Sequence, residues 1–140
     1  MVGNDNKALK ILLWIVAVYH IGLGLLGIFA KDFAVTLAKN FFNFNLTLTD
    51  QIYWIINPLA AYILVFGIFM ALAAKDPSKY KNVIFVGVAL FAVRVIQRLV
   101  FFVTAPEGLV NNIDPTKNII MLVVVAAIGI AMFVMAKKVK

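Results

Sequence analysis

Residues on which catalysis and metal binding usually depend are scarce in this sequence. It contains no cysteine, a single histidine and six acidic residues, and none of the acidic residues lies within a long apolar run. Without cysteine, disulfide scaffolds and thiolate metal sites are excluded. With one histidine and no carboxylate in the apolar runs, this chain alone cannot form a nucleophile triad, a paired-carboxylate hydrolase site or a multi-histidine metal or haem site. We therefore expect a protein that is not an enzyme and that binds no cofactor.

Long apolar runs dominate the composition. Of the 140 residues, 64% are hydrophobic and 14% are charged, and the mean hydropathy is +1.02, which is too apolar for a soluble domain of this size. Four runs are each close to the roughly 20 residues that cross the apolar core of a bilayer. The sequence predicts an all-α, integral membrane four-helix transmembrane bundle, a single domain over residues 1–140 without a removable signal peptide. The predicted spans are Ile11–Ala30, Ile52–Ala74, Asn82–Thr104 and Ile119–Ala136.

The net charge of +7 comes mainly from lysines at the ends of these spans. Because the lysines do not form a basic groove interleaved with aromatic residues, we expect no nucleic-acid partner. Four spans place both termini on one side of the membrane, and the positive-inside rule predicts that side to be cytoplasmic, in a multi-pass protein of the cell inner membrane. The lysines on the two sides number eight and three: Lys7, Lys10, Lys75, Lys79, Lys81, Lys137, Lys138 and Lys140 against Lys31, Lys39 and Lys117.

Two arginines set the main constraint on the third span. Arg94 and Arg98 share one face of a helix, and Gln97 extends the same polar seam. An arginine in hydrocarbon costs roughly 2.5 kcal/mol or more, so the pair must face protein, water or an anion. Three functional explanations stay open: a bound anion or acidic lipid headgroup, a carboxylate from a partner subunit, or an opening to water. The structural alternative is that Arg98 snorkels to the outer interface while Arg94 bonds backbone carbonyls.

The first span contains the single histidine of the chain. His20 shares a helical face with Gly24 and Gly27. Because glycines let a neighbouring backbone approach closely, we expect His20 to point toward another helix and not toward lipid. It is either a packing residue whose hydrogen bonds are satisfied, or a proton carrier or ligand.

The second span contains a break signal. Pro58 removes a backbone donor and clashes with the carbonyl of Trp54, which predicts a kink after Asn57. Such kinks line sites in transporters and also occur where helices only pack. Counting about 1.5 Å per residue predicts two polar layers, one with His20, Tyr62 and Arg94 and one with Asn57 and Arg98. The predicted ligand- or partner-binding residues are therefore Arg94, Arg98, Gln97, His20, Tyr62 and Asn57.

The segment between the first two spans, residues 31–51, is amphipathic. Phe33, Leu37, Phe41 and Phe44 recur at helical spacing, with polar residues on the opposite face. Two interpretations stay open: a helix lying in the outer membrane interface, or a lid that packs on the end of the bundle.

Helix-start signals precede the last three spans. Thr47 or Thr49 is predicted to cap the second, and Asp76–Pro77 and Asp114–Pro115 the third and fourth. The fourth span, read from Ile119, contains no polar side chain. We expect it to sit on the periphery or to offer small residues to another subunit, namely Ala126, Ala127 and Gly129.

The length of the chain, the arginine-bearing third span and the DPSKY turn before it resemble the small four-span bacterial membrane proteins grouped as DoxX-like or BphX-like. The resemblance implies a four-span fold and a role such as an accessory component of a membrane redox assembly. Those families have acidic or additional polar residues in their spans that this sequence lacks, so no site residue is carried over.

Three functions are compatible with these observations. The first is a non-catalytic accessory or structural subunit of a larger membrane protein complex. The second is a small oligomeric channel or carrier for an anion or amphipathic anion that uses the arginine pair. The third is a quinone- or lipid-binding component of a membrane redox assembly. The expected partners are the lipid bilayer, other membrane subunits or further copies of the chain, and an anion or acidic lipid headgroup.

Overall fold

The computed structural model describes residues 3–42, 49–104 and 114–139. Within these ranges the chain forms five helices and no strand: α1 (Gly3–Phe29), α2 (Lys31–Phe42), α3 (Asp50–Lys75), α4 (Lys81–Thr104) and α5 (Pro115–Lys138). Four of them, α1, α3, α4 and α5, are long and apolar enough to cross a membrane. The predicted all-α bundle of four membrane-spanning helices is confirmed, and the protein is a multi-pass membrane protein.

The closest helix pair is α1 with α3, which pack along much of their length. Glycines make this approach possible: a Cβ atom added at Gly24 would lie 2.6 Å from the Leu64 Cβ and 2.7 Å from its Cα. A Cβ atom at Gly27 would lie 2.6 Å from the Ala60 Cβ. The expectation that Gly24 and Gly27 admit a neighbouring backbone is confirmed, and the neighbour is the second span.

The second helix pair is α4 with α5. Phe91 of α4 packs on Gly129 of α5, where a Cβ atom would lie 3.0 Å from the Phe91 Cβ. The expectation that Gly129 is offered to another subunit is therefore wrong, because Gly129 is buried within its own chain, whereas Ala127 is exposed. The physical reason is that the missing side chain at Gly129 leaves room for Phe91.

The hydrophobic core lies in the half of the bundle that holds both chain termini. All four spans contribute to it, from the early turns of α1 and α4 and the late turns of α3 and α5. Its largest fully buried side chains are Leu9, Leu13, Met70, Ile84 and Met132. At its end, Lys81 Nζ donates a hydrogen bond to the Val139 carbonyl over 2.5 Å, which ties the start of α4 to the end of α5.

The short helix α2 follows α1 after a single residue, Ala30. Its side chain at Val35 is buried, whereas Phe33 and Leu37, on the opposite face, are exposed. Tyr53 Oη donates to Asp32 Oδ1, and Lys117 Nζ donates to the Asn40 carbonyl over 3.2 Å, so the polar side of α2 is the side tied to α3 and α5. The exposed face with Phe33 and Leu37 fits a helix in the membrane interface, and the contacts of the other face fit a helix packed on the end of the bundle.

Helix starts follow the predicted signals in two of three cases. The Thr49 hydroxyl accepts from the Ile52 amide at the start of α3, and Asp114 accepts from the amides of Thr116 and Lys117 at the start of α5. Asp76 instead ends α3, and its carboxylate accepts from the Lys79 amide in the turn that precedes α4. The third span therefore begins at Lys81 and not at Pro77.

Helix α3 continues through Pro58 as one element. Phe44, the last of the apolar residues predicted at helical spacing, lies outside the described residues.

Candidate polar site in the helix bundle

His20 is buried between helices, with 3% of its surface exposed. Its Nδ1 lies 2.7 Å from the Val16 carbonyl oxygen and its Nε2 lies 3.3 Å from Arg94 Nη1. A carbonyl can only accept and a guanidinium can only donate, so Nδ1 carries the proton and Nε2 accepts from Arg94. The two partners together assign the neutral imidazole with its proton on Nδ1.

Aromatic rings hold this imidazole in place. Phe66 of α3 meets it edge to face with ring centroids 4.7 Å apart, and Tyr19 and Phe91 do so at 5.1 Å and 6.2 Å. The rings leave the histidine few orientations, and they make its surroundings apolar. An electrostatic interaction in such surroundings is stronger than the same interaction in water.

Arg94 lies near the middle of α4, about 20 Å from its first residue and about 15 Å from its last at about 1.5 Å per residue. Its side chain is half-buried. Across residues 3–42, 49–104 and 114–139, its hydrogen-bond partner is His20 and no carboxylate is paired with it. Because His20 is neutral, the pair of residues carries one full positive charge at the depth where a charge is most costly.

Arg98, one turn farther along α4, meets a different helix. Its Nη1 donates to Oδ1 of Asn118 on α5, whose side chain is buried with 5% of its surface exposed. Arg94 and Arg98 lie close enough for each to act electrostatically on the other. The two guanidinium groups thus connect α4 to α1 on one side and to α5 on the other.

Asn118 is the site residue that the sequence analysis missed. The fourth span was read from Ile119, one residue too late, and was therefore described as wholly apolar. The signal was present: with Asp114 as the N-cap and Pro115 as the first helical residue, Asn118 falls inside the first turns of α5. Had the predicted fourth span begun at the Asp114 cap, it would have included the Asn118 side chain.

Three of the six predicted site residues, His20, Arg94 and Arg98, lie in two polar layers. His20 pairs with Arg94. Arg98 pairs with Asn118, which was not predicted. The structure does not bring Asn57, Tyr62 or Gln97 to the arginines. Their side chains are exposed on the outer surface of α3 and α4, and Tyr62 is 74% exposed. Counting residues gives the depth of a side chain but not its direction around the helix, and here the direction separates these residues from the seam.

The structural alternatives for the arginines also change. Arg94 bonds the imidazole of His20 rather than backbone carbonyls. Arg98 bonds the side-chain amide of Asn118, which lies in the first turns of α5. Within the described residues, no group of three or more His, Cys, Asp or Glu side chains is placed to hold a metal ion. The chemistry that the two layers offer is hydrogen-bond donation by a cation.

No protein-family model, no curated protein and no solved structure matches this chain. The resemblance to the DoxX-like and BphX-like proteins therefore stays a prediction.

Proposed function

We propose that this protein is a non-catalytic accessory subunit of a larger membrane protein complex, in a bacterial inner membrane with both termini in the cytoplasm. The observation that carries the proposal is the outward direction of polar side chains within the spans. Tyr62 is the thirteenth of the 26 residues of α3, and its side chain is 74% exposed. Asn57 on the same helix and Gln97 on α4 are exposed as well.

Lipid tails cannot hydrogen-bond these groups. Leaving a hydroxyl or amide without a partner in an apolar environment costs roughly 0.5–2 kcal/mol even on the scales that allow partial compensation. A polar group on a neighbouring transmembrane helix removes that cost and adds about 0.6 kcal/mol or somewhat more per bond. Three such groups on the outer surface therefore favour a second protein helix over lipid as their neighbour.

The distribution of lysines supports the orientation. With four spans, eight lysines fall on the side of both termini and three on the other side. The structure has four helices long and apolar enough to be these spans. Under the positive-inside rule this asymmetry supports a cytoplasmic location of the termini.

The test is site-specific photo-crosslinking in the native membrane. A benzophenone amino acid at position 62 should give one adduct of discrete mass that co-purifies stoichiometrically in mild detergent. The matched control is the same probe at Ile130, an apolar and exposed position inside α5, which should crosslink to lipid only. Tyr62→Phe, which removes only the hydroxyl, should reduce co-purification of the same partner.

Three outcomes count against the proposal. The chain purifies as a monomer without an adduct at position 62; the adducts at positions 62 and 130 are the same; or Tyr62→Phe leaves co-purification unchanged. If the adduct contains a second copy of this chain, the assembly is a homo-oligomer and not a complex with a different protein.

A further inference from the structure

We infer that Arg94, oriented by His20, is the binding site for one oxyanion group, a carboxylate or a phosphate, carried by a lipid or free. This inference goes beyond the accessory role and does not depend on it. It rests on the donors that remain on Arg94, on the neutrality of its partner and on the position of the site between the two helix pairs.

The first step concerns the hydrogen-bond donors. A guanidinium group has five N–H donors in a planar fork that matches the two oxygens of a carboxylate or phosphate. Within the described part of the chain, His20 Nε2 accepts from Nη1 of Arg94 over 3.3 Å and no carboxylate is paired with this side chain. Since Arg94 is half-buried, part of its side chain is exposed at the surface of the chain, where a ligand can reach it.

The second step concerns charge. The hydrogen bonds of His20 assign a neutral ring, so the imidazole positions Arg94 without compensating its charge. The rings of Phe66 and Phe91 make the surroundings of His20 apolar, which strengthens the attraction between Arg94 and a negative group. An oxyanion is the ligand whose chemistry matches both conditions.

The third step concerns access. His20 belongs to α1, which packs on α3, and Arg94 belongs to α4, which packs on α5. Their hydrogen bond therefore spans the boundary between the two closely packed pairs. The apolar residue Leu90, one turn before Arg94 on the same face of α4, is exposed, and the tail of an amphipathic anion can lie against it.

The experiment uses the whole chain, purified in a neutral detergent, with three probes: laurate, methyl laurate and inorganic phosphate. Binding is measured by isothermal titration. We expect laurate to bind at least tenfold more tightly than its uncharged methyl ester, which has the same tail. Inorganic phosphate separates the two sources: competition by phosphate at millimolar concentration indicates a site for free anions, and its failure to compete indicates a lipid-borne group.

Variants then assign the residue. Arg94→Gln should lower laurate affinity to that of the ester, and Arg94→Lys, which keeps the charge but loses the fork, should give an intermediate value. Arg98→Gln is the matched control, because it removes an arginine one turn away and leaves the pair of His20 and Arg94 intact; its effect should be less than threefold. Equal binding of laurate and its ester by the unmodified chain overturns the inference without any variant. Equal loss from Arg98→Gln and Arg94→Gln overturns the assignment to Arg94.

Discussion

Close packing of α1 on α3 at two glycines gives the sharpest prediction for the fold. At Gly24 an added Cβ atom would lie 2.6 Å from the Leu64 Cβ and 2.7 Å from its backbone Cα and N, where ordinary contacts begin at 3.4 Å. Because backbone atoms cannot rotate away, the two helices must separate by about 0.7 Å or more, the difference between these contact distances. Overpacking of this kind costs about 1–3 kcal/mol.

The matched control lies on the same helix. A Cβ atom at Gly22 meets nothing within 4 Å, so Gly22→Ala gains the helix propensity of alanine, up to about 1 kcal/mol, without a clash. Gly24→Ala has the same gain in propensity, and the difference between the two variants isolates the clash. We expect Gly24→Ala to be less stable than Gly22→Ala by about 1–3 kcal/mol, measured as the free energy of unfolding when the detergent-solubilised protein is titrated with SDS.

Rescue variants separate the two contacts. The atom nearest a Cβ at Gly27 is the Ala60 Cβ, at 2.6 Å, and the Ala60 Cα is 3.7 Å away, so Ala60→Gly should restore much of the stability that Gly27→Ala loses. Leu64→Ala should not rescue Gly24→Ala, because the Leu64 Cβ and backbone stay in place. If Gly24→Ala is as stable as Gly22→Ala, or if Leu64→Ala rescues it, the close approach of α1 and α3 is not as described.

The remaining predictions concern the polar layers and one cap. Asn118→Leu removes the amide oxygen that accepts from Arg98 and should lower the free energy of unfolding by about 1–3 kcal/mol, whereas Asn118→Asp, which keeps an acceptor there, should not; SDS titration distinguishes them. His20→Phe should destabilise the bundle by a similar amount because Arg94 loses its acceptor, and this loss should be smaller in an Arg94→Leu background, where the acceptor is no longer needed; a double-mutant cycle measures the coupling. Asp114→Ala should cost about 0.5–2 kcal/mol through loss of the α5 cap, and Asp114→Ser should recover most of it in the same titration.

The elements of this fold were predictable because they are local. The four apolar runs locate the spans, and Thr49 and Asp114 mark helix starts by side-chain hydrogen bonds that act within a few residues. Asp76 shows the limit of the signal: a carboxylate before a proline can accept from a turn as well as from a helix, and here it accepts from the Lys79 amide in a turn.

The direction of each side chain around its helix was not predictable, and the reason is the solvent. In a soluble helix the apolar face is the buried one, but in a membrane the lipid-facing surface is apolar as well. Counting residues predicts one depth for Tyr62 and Arg94, yet Tyr62 faces outward and Arg94 faces His20. His20 itself was predictable, because the glycines one and two turns beyond it mark the face on which α3 packs.

The core at the terminal end of the bundle limits how a bound anion can move. Each of the four spans contributes a fully buried side chain to this core, namely Leu13, Met70, Ile84 and Met132. A group that reaches Arg94 therefore cannot pass through the terminal end of the bundle. An anion bound at Arg94 of one copy would therefore enter and leave by the same route. Transport across the membrane would then have to follow a path between copies, or between this chain and a neighbour.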